Sequence, residues 1–371
     1  MNFDFFLRAL PSVLFAALLL AHTTPVSADS TPVRIGAAVS LTGPAAEQGK
    51  NWLEGARLAL EELKAEGVTA ELIIEDDKTS AAGAATAFTK LVTVDRVQAV
   101  LGGTWDFLAQ ATYPLAKKYR VPFLTMTNAI ESVQGGTQNN PWVFTSGLSL
   151  ASTGDGIRKF LAKVKGTRVA LLYPAVPFGA LHADLFRAVA EERNLTLVVD
   201  QEYALESYLE NVKVAALKIA REKPDVVFIV TDAGALDAFL AEFSRQKISP
   251  LVLTTQHLGA AFALTGNTER FRHAYGVYPE ISDSGFETRF RARYGRAPLV
   301  YCAEGYDAFK FLANVLMRGI DLTSKTGHYE YKGVTGTFVL PSSSPELVHV
   351  GARIMTTRTG SFLPWDGGAV D

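Results

Sequence analysis

An alternation that occurs twice over restricts this chain more than any other feature: an apolar run, a turn, an amphipathic helix, then another apolar run. In the first series Val33–Val39 reads as a strand, and Trp52, Leu53, Ala56, Leu60 and Leu63 recur at helical spacing. Strands follow at Glu71–Glu75, at Val97–Leu101 and from Val121 to Thr125, with helices over Ala81–Val94 and after Gly103. In the second of these helices the stripe Phe107, Leu108, Ala111, Leu115 and Tyr119 is expected to face the sheet. The rhythm pauses near Asn139-Asn140-Pro141 and resumes after Gly154, with strands at 169–173, 196–199, 226–230 and 251–254. Helices over 181–192 and 235–243 lie between them. Strands alternating with helices of this length predict parallel sheets covered by helices on both faces, and 371 residues suggest two such units. From Tyr275 onward the chain adds a charged helix over 286–294, an apolar one over 303–317, and a β-rich tail punctuated by Gly333, Gly336 and Pro341.

The amino terminus differs from the rest. Arg8 precedes an apolar run from Ala9 to Ala21, and a polar segment then ends in Val26-Ser27-Ala28. The run is shorter than the roughly 20 residues of a spanning helix, so residues 1–28 read as a cleavable secretory signal peptide, which implies export to the periplasm. With 36 basic and 38 acidic residues the formal charge is only −2, and no field of either sign suggests nucleic acid as a partner. The lone Cys302, in an apolar helical segment, reads as a buried thiol.

Motifs for catalysis are missing. Gly43 to Asn51 resembles a phosphate loop, but five residues separate Gly43 from Gly49 and Asn51 stands where Ser or Thr would hold magnesium. There is no Gly-x-Ser-x-Gly elbow, no dinucleotide fingerprint, and no pair of histidines at helical metal-ligand spacing. No cofactor or metal is expected, and an enzymatic role rests on fold class alone.

One junction does suggest ligand binding. Val97–Leu101 runs into Gly102-Gly103 and then Thr104-Trp105-Asp106 at the start of a helix. In open α/β sheets the ligand crevice lies beyond the carboxyl ends of the strands, where helix N-termini point unpaired N–H groups. Asp106 reads either as a group facing that crevice or as the helix N-cap.

Taken together the stretches resemble the Leu/Ile/Val-binding protein family, the type I periplasmic receptors of branched-chain amino-acid ABC transporters. The resemblance runs from Val33 to about Trp365 and rests on Ile35-Gly36, Ser40-Leu41-Thr42-Gly43-Pro44, Gly55-Ala56, Leu101-Gly102-Gly103 and Val121-Pro122, then on Tyr294-Gly295, Gly305-Tyr306-Asp307-Ala308 and Gly333-Val334-Thr335-Gly336. It implies two α/β lobes, each a mostly parallel sheet flanked by helices, joined by a three-strand hinge and closing on a small molecule. The implied lobes are residues 32–146 plus 277–337 and residues 147–276 plus 338–371. The implied partner is a membrane permease, with the receptor itself a monomer; a sensor feeding a signalling system would use the same lobes.

The resemblance also places a pocket. Its carboxylate-binding position falls on Thr104, Trp105 and Asp106, with Asp106 replacing the usual Ser, and the next segment falls on Thr125, Thr127 and Asn128. Phe178, ahead of Gly179, takes the place of a covering Tyr. Gln256 falls where an acid receives the ammonium group, Asp232 lies where it could supply that charge, and Gln48 falls where an aromatic is common. A carboxylate facing a carboxylate costs free energy, and a neutral amide cannot neutralise an ammonium ion. These departures suggest a ligand other than a plain branched-chain α-amino acid: an acid beside Trp105 and Phe178 suits a cationic or amide-bearing molecule, and Asp106 as a helix cap instead leaves room for an aromatic carboxylate.

Overall fold

The structure is a computed structural model and describes residues 32–127, 140–204, 207–341 and 347–368. The expected signal peptide and Asn128 lie outside the described residues.

The first series folds into five parallel strands in the order β2-β1-β3-β4-β5. These are β1 (Val33–Val39), β2 (Ala70–Asp76), β3 (Ala99–Gly102), β4 (Phe123–Thr125) and β5 (Val143–Thr145). Period-two alternation sorts their side chains: Ile35, Ala37, Leu101, Leu124 and Phe144 enter one core, and Ala38, Val100, Phe123 and Val143 the other. Burial on both faces explains why these strands read as continuous apolar runs. Each fully buried ring such as Phe123, edge-on to Phe88 at 5.8 Å, contributes roughly 2–3 kcal/mol.

The second series repeats the topology. β6 (Arg168–Pro174), β7 (Thr196–Tyr203), β8 (Val226–Ile229), β9 (Leu251–Thr254) and β10 (Ala274–Pro279) run parallel in the order β7-β6-β8-β9-β10. Two antiparallel strands, β14 (Ala352–Thr356) and β15 (Leu363–Pro364), extend it beyond β10. A separate antiparallel sheet joins β11 (Tyr329–Lys332), β12 (Gly336–Leu340) and β13 (Val348–Val350).

Eleven helices connect the described strands: α1 (Ala46–Ala65), α2 (Ala81–Thr93), α3 (Asp106–Tyr119), α4 (Leu150–Leu161), α5 (Pro177–Glu192), α6 (Tyr208–Glu222), α7 (Ala233–Arg245), α8 (Leu258–Thr265), α9 (Thr268–Phe271), α10 (Ser284–Tyr294) and α11 (Cys302–Met317). The pause read between Asn139 and Gly154 is filled by β5 and the first turn of α4, which are too short or too rich in Ser, Thr and Gly to show a period. The α3 stripe also differs from expectation. Leu108, Ala109, Thr112, Tyr113 and Ala116 are buried, while Phe107 is exposed and meets the Trp105 ring edge-on. The small Ala and Thr side chains let the helix lie close to the sheet, and apolar spacing alone cannot choose between two stripes that share Leu108.

α1 and α11 cross where neither tolerates a side chain. A Cβ on Gly55 would lie 1.8 Å from the Cys302 carbonyl oxygen, and one on Gly305 would lie 2.1 Å from that of Trp52. Next to this crossing Asp307 accepts the Val334 and Thr335 N–H groups at 2.8 and 2.7 Å and the Thr335 hydroxyl at 2.6 Å. The Gly-Tyr-Asp-Ala and Gly-Val-Thr-Gly stretches thus fasten the three-stranded sheet to α11.

Candidate functional site

Both parallel sheets reverse their strand order between the first and third strands of their series, and ligands in open α/β sheets bind at such switch points. The described sequence-predicted residues lie at or after strand carboxyl ends. On the first sheet the Thr104 hydroxyl accepts the Ser40 N–H at 3.1 Å, pinning the loops after β1 and β3 together. Gly103 has φ +72°, and a Cβ there would lie 2.6 Å from both Ala109 Cβ and Thr125 Oγ1, so only glycine makes this turn. The Trp105 indole donates to Gln48 Oε1, which explains an amide at a position where an aromatic was the expectation.

Asp106 does not cap its helix. Trp105 occupies the N-cap position without a side-chain cap, and Asp106 is the first helical residue. Its Oδ2 is buried and has no hydrogen-bond partner. Burial pushes this carboxyl up to about 6, against the pull of a hydrogen bond from Thr127. The Thr127 N–H in turn donates to Thr125 Oγ1 at 3.2 Å, so the segment after β4 is organised around hydroxyls.

On the second sheet Phe178 is the second residue of α5, after Pro177. A Cβ on Gly179 would lie 2.0 Å from the Pro174 carbonyl oxygen, so the glycine lets α5 start directly on β6. The Phe178 carbonyl accepts from His182 Nδ1 at 2.9 Å, and the two rings lie 4.2 Å apart. After β9 come Thr255, Gln256 and His257, all buried, and Thr255 Oγ1, Gln256 Oε1 and His257 Nδ1 have no hydrogen-bond partner. Burial holds His182 down to about 4 and lowers His257 as well, the latter opposed by Asp232. Asp232 caps α7, accepting the Ala235 N–H at 2.9 Å.

Residues from the carboxyl edges of both sheets meet around one cavity of about 20 Å³. Phe178, Met126, Leu148 and Val277 give it apolar walls; Thr255, Gln256, His257, His182, Thr153 and Tyr301 give it polar ones. Neither a carboxylate nor an Arg or Lys is among these residues. The volume suffices for about one water molecule. Of the sequence-predicted residues Phe178 and Gln256 line it; Thr104, Trp105, Asp106, Thr125, Thr127 and Gln48 belong to the first-sheet side, and the Asp232 charge acts on His257. Burial, then the Glu304 charge and then that of Asp106 raise the Tyr301 hydroxyl, so Asp106 is still felt at the cavity.

His182, His257, Thr255 and Tyr301 were not legible as site residues. The histidines are 75 positions apart and were weighed only for metal spacing; among the described residues no group of three His, Cys, Asp or Glu side chains could hold a metal ion. Tyr301 sits at φ +68°, a left-handed conformation that no local signal announces.

A larger open groove of about 720 Å³ lies between α1, α10, α11 and β11. Its charges are spent on one another: Glu62 meets Arg289 and Lys310 at 2.9 and 2.8 Å, and Arg289 meets Asp283 at 3.0 Å. The small cavity instead concentrates buried polar atoms without partners, which is the arrangement that a ligand completes.

The chain matches the family model described as periplasmic binding protein over residues 32–342. Among solved structures it is similar to the branched-chain amino acid transporter substrate binding protein LivJ from Streptococcus pneumoniae in complex with isoleucine, at 21% identity, TM-score 0.77, 90% of this chain and 98% of that one. It is also similar to the leucine binding protein LivK from Thermotoga maritima, at 17% identity, TM-score 0.74, 90% and 97% coverage. A third is an ABC transporter solute binding protein from R. palustris in complex with benzoate, at 17% identity, TM-score 0.74, 90% and 95% coverage. At these identities the likeness is one of fold.

Proposed function

Because the chain belongs to the periplasmic binding protein family, we propose that it is the extracytoplasmic solute receptor of an ABC importer. It captures a small amphipathic molecule between two closing lobes and presents the closed form to a membrane permease. The observation that carries this reading is the cavity shared by the two sheets, with unpartnered buried groups at Thr255, Gln256 and His257 and an apolar wall at Phe178.

The lobes that close are residues 32–146 plus 277–337 and residues 147–276 plus 338–371, with Val348–Val350 drawn to the first through β12. Residues 1–28 direct export and are removed, so the receptor works in the periplasm as a monomer. It is a binder and not a catalyst: the Cys302 thiol is buried and pushed up to about 12, which leaves it inert.

The ligand is amino-acid-like, an amide, an amine or an aromatic acid. Isoleucine in the pneumococcal neighbour and benzoate in the R. palustris one bracket this range. A plain branched-chain α-amino acid fits least well, because Gln256 gives its ammonium group no countercharge and Asp106 stands at the first-sheet edge. A thermal-shift screen of the purified protein against these four classes tests the proposal. A ligand at 100 times its Kd stabilises the protein by about 2.7 kcal/mol, and the absence of any shift across the panel overturns the capture reading. Tight leucine or isoleucine binding that Gln256→Ala strongly reduces overturns the ligand assignment.

A further inference from the structure

Two imidazoles, His182 and His257, stand on one wall of the cavity, 2% and 7% exposed, and the fold uses neither as a charge. We propose that the cleft takes a carboxylate at His182 and His257, and that binding draws one proton from solvent onto this imidazole pair. The inference deepens the capture reading and rests on it.

Hydrogen bonding fixes the protonation of His182 in the free protein. Its Nδ1 lies 2.9 Å from the Phe178 carbonyl, which can only accept, so Nδ1 carries the proton and a neutral ring has only a lone pair at Nε2. That lone pair repels a carboxylate until Nε2 is protonated, and then it donates a charge-assisted hydrogen bond. His257 Nδ1 is buried without a partner, as are Gln256 Oε1 and Thr255 Oγ1 on the same segment. Thr255 Oγ1 and a protonated His257 Nδ1 can donate to a carboxylate, whereas the Gln256 amide does so only when turned to present its Nε2.

An anion suits the surroundings of the pair. Neither Arg nor Lys lines the cavity, which leaves the imidazoles as the lining groups able to become cations on binding. α5 and α8 both start at the cavity, with Phe178 in the first turn of one and His257 at the N-cap of the other, and neither start has a side-chain cap. Their N-terminal partial charges favour an anion. The ionisable groups around the pair are Asp232 from the start of α7 and Tyr301 ahead of α11, with Glu304 of α11, which burial raises to about 7, and then Asp106 of the first sheet acting on Tyr301. Asp232 is engaged at the N-terminus of its own helix and favours the charged form of His257, which makes His257 the ring that more readily keeps the proton. An ammonium group placed here would find acceptors in a neutral imidazole and Gln256 Oε1 but no lining carboxylate to neutralise its charge. The Phe178 ring leaves the apolar body of the ligand a face to pack on.

The sign of the pH dependence follows. Burial keeps both rings neutral at pH 7 in the free protein, His182 down at about 4. A bound carboxylate raises the pair, so the complex holds one more proton and affinity falls as pH rises.

Titration calorimetry of the purified protein with sodium benzoate, benzamide, benzylamine and isoleucine tests this. Benzoate is expected to bind with about one proton taken up at pH 7, read from the difference in heat between phosphate and Tris buffers. Its affinity should fall close to tenfold per pH unit between about pH 6 and 8, with benzamide unaffected. The double variant His182→Gln/His257→Gln is expected to lose the uptake. Ring ¹⁵N shifts of the unsubstituted protein give a check independent of variant folding, since benzoate should move one imidazole from neutral to protonated at pH 7. Benzoate binding with equal heats in both buffers and no pH dependence overturns the inference. Binding of benzylamine with benzoate rejected, or of isoleucine with no proton taken up, also overturns it and leaves the capture reading standing. If none of the four binds, the inference fails, and the wider thermal-shift panel decides the capture reading separately.

Discussion

Asp307 and Asp106 are both carboxyls in α/β loops or helices that burial pushes up to about 6, yet the protein treats them oppositely. Asp307 receives three hydrogen bonds, from the Val334 and Thr335 N–H groups and the Thr335 hydroxyl, and it fastens one sheet to α11. Asp106 has one oxygen bonded to Thr127 and the other buried without a partner. Burial and pKa alone therefore do not separate scaffold from site in this molecule. The two differ in satisfaction: Asp307 has its acceptors used and holds structure, whereas Asp106 is left one partner short, which in the proposed function leaves it open to a group from outside.

The same substitution at the two acids should split them most widely. Asp307→Asn turns an acceptor toward N–H and O–H donors into a donor, and it is expected to cost about 3 kcal/mol in urea unfolding. Gly55→Ala probes the scaffold without touching charge: its Cβ, 1.8 Å from the Cys302 carbonyl oxygen, must push α1 and α11 apart at about 2–3 kcal/mol. A neutral result for either would dissolve the distinction.

Asp106→Asn should do the reverse. Folding lifts this carboxyl from 3.8 to about 6, so the folded state binds the extra proton and the parent loses stability as pH rises through that window. The variant is expected to match the parent below about pH 4 and to exceed it by about 3 kcal/mol above about pH 7, measured as the difference between the two unfolding curves. A variant less stable than its parent at neutral pH would mean that Asp106 is structural after all. The smallest effect is expected at Thr255→Val, which replaces an unpartnered hydroxyl by a methyl of the same shape. Stability should change by less than about 0.5 kcal/mol while ligand affinity falls severalfold.

Legibility in the sequence divides along a similar line. Strands β1, β6, β8 and β9 and helices α2, α7 and α11 were readable to within a residue or two, because each carries enough apolar residues to show its period. β5 and α4 were not, one being three residues long and the other opening Leu-Ala-Ser-Thr-Gly. Gly55, Gly305 and Asp307 were visible as parts of motifs, but their work, a helix crossing and a three-bond anchor, appears only when α1, α11 and the Val334 loop are brought together. In the site, Phe178 and Gln256 were picked out through the family pattern, whereas His182 and His257 were set aside because their separation fits no local motif.

The sequence by itself determined the two α/β series, the family, and the strand ends after which the site residues lie. Those properties follow from local periodicity and from the order of glycine turns along the chain. Tertiary structure decided which side chains share a space: it set Asp106 off its helix cap, tied Trp105 to Gln48, engaged Asp232 at α7, and brought two distant histidines to one wall. The reason is physical. A hydrogen-bond partner or a desolvated cavity is made by elements far apart in the chain, and no stretch of residues carries that information until the sheets and helices pack.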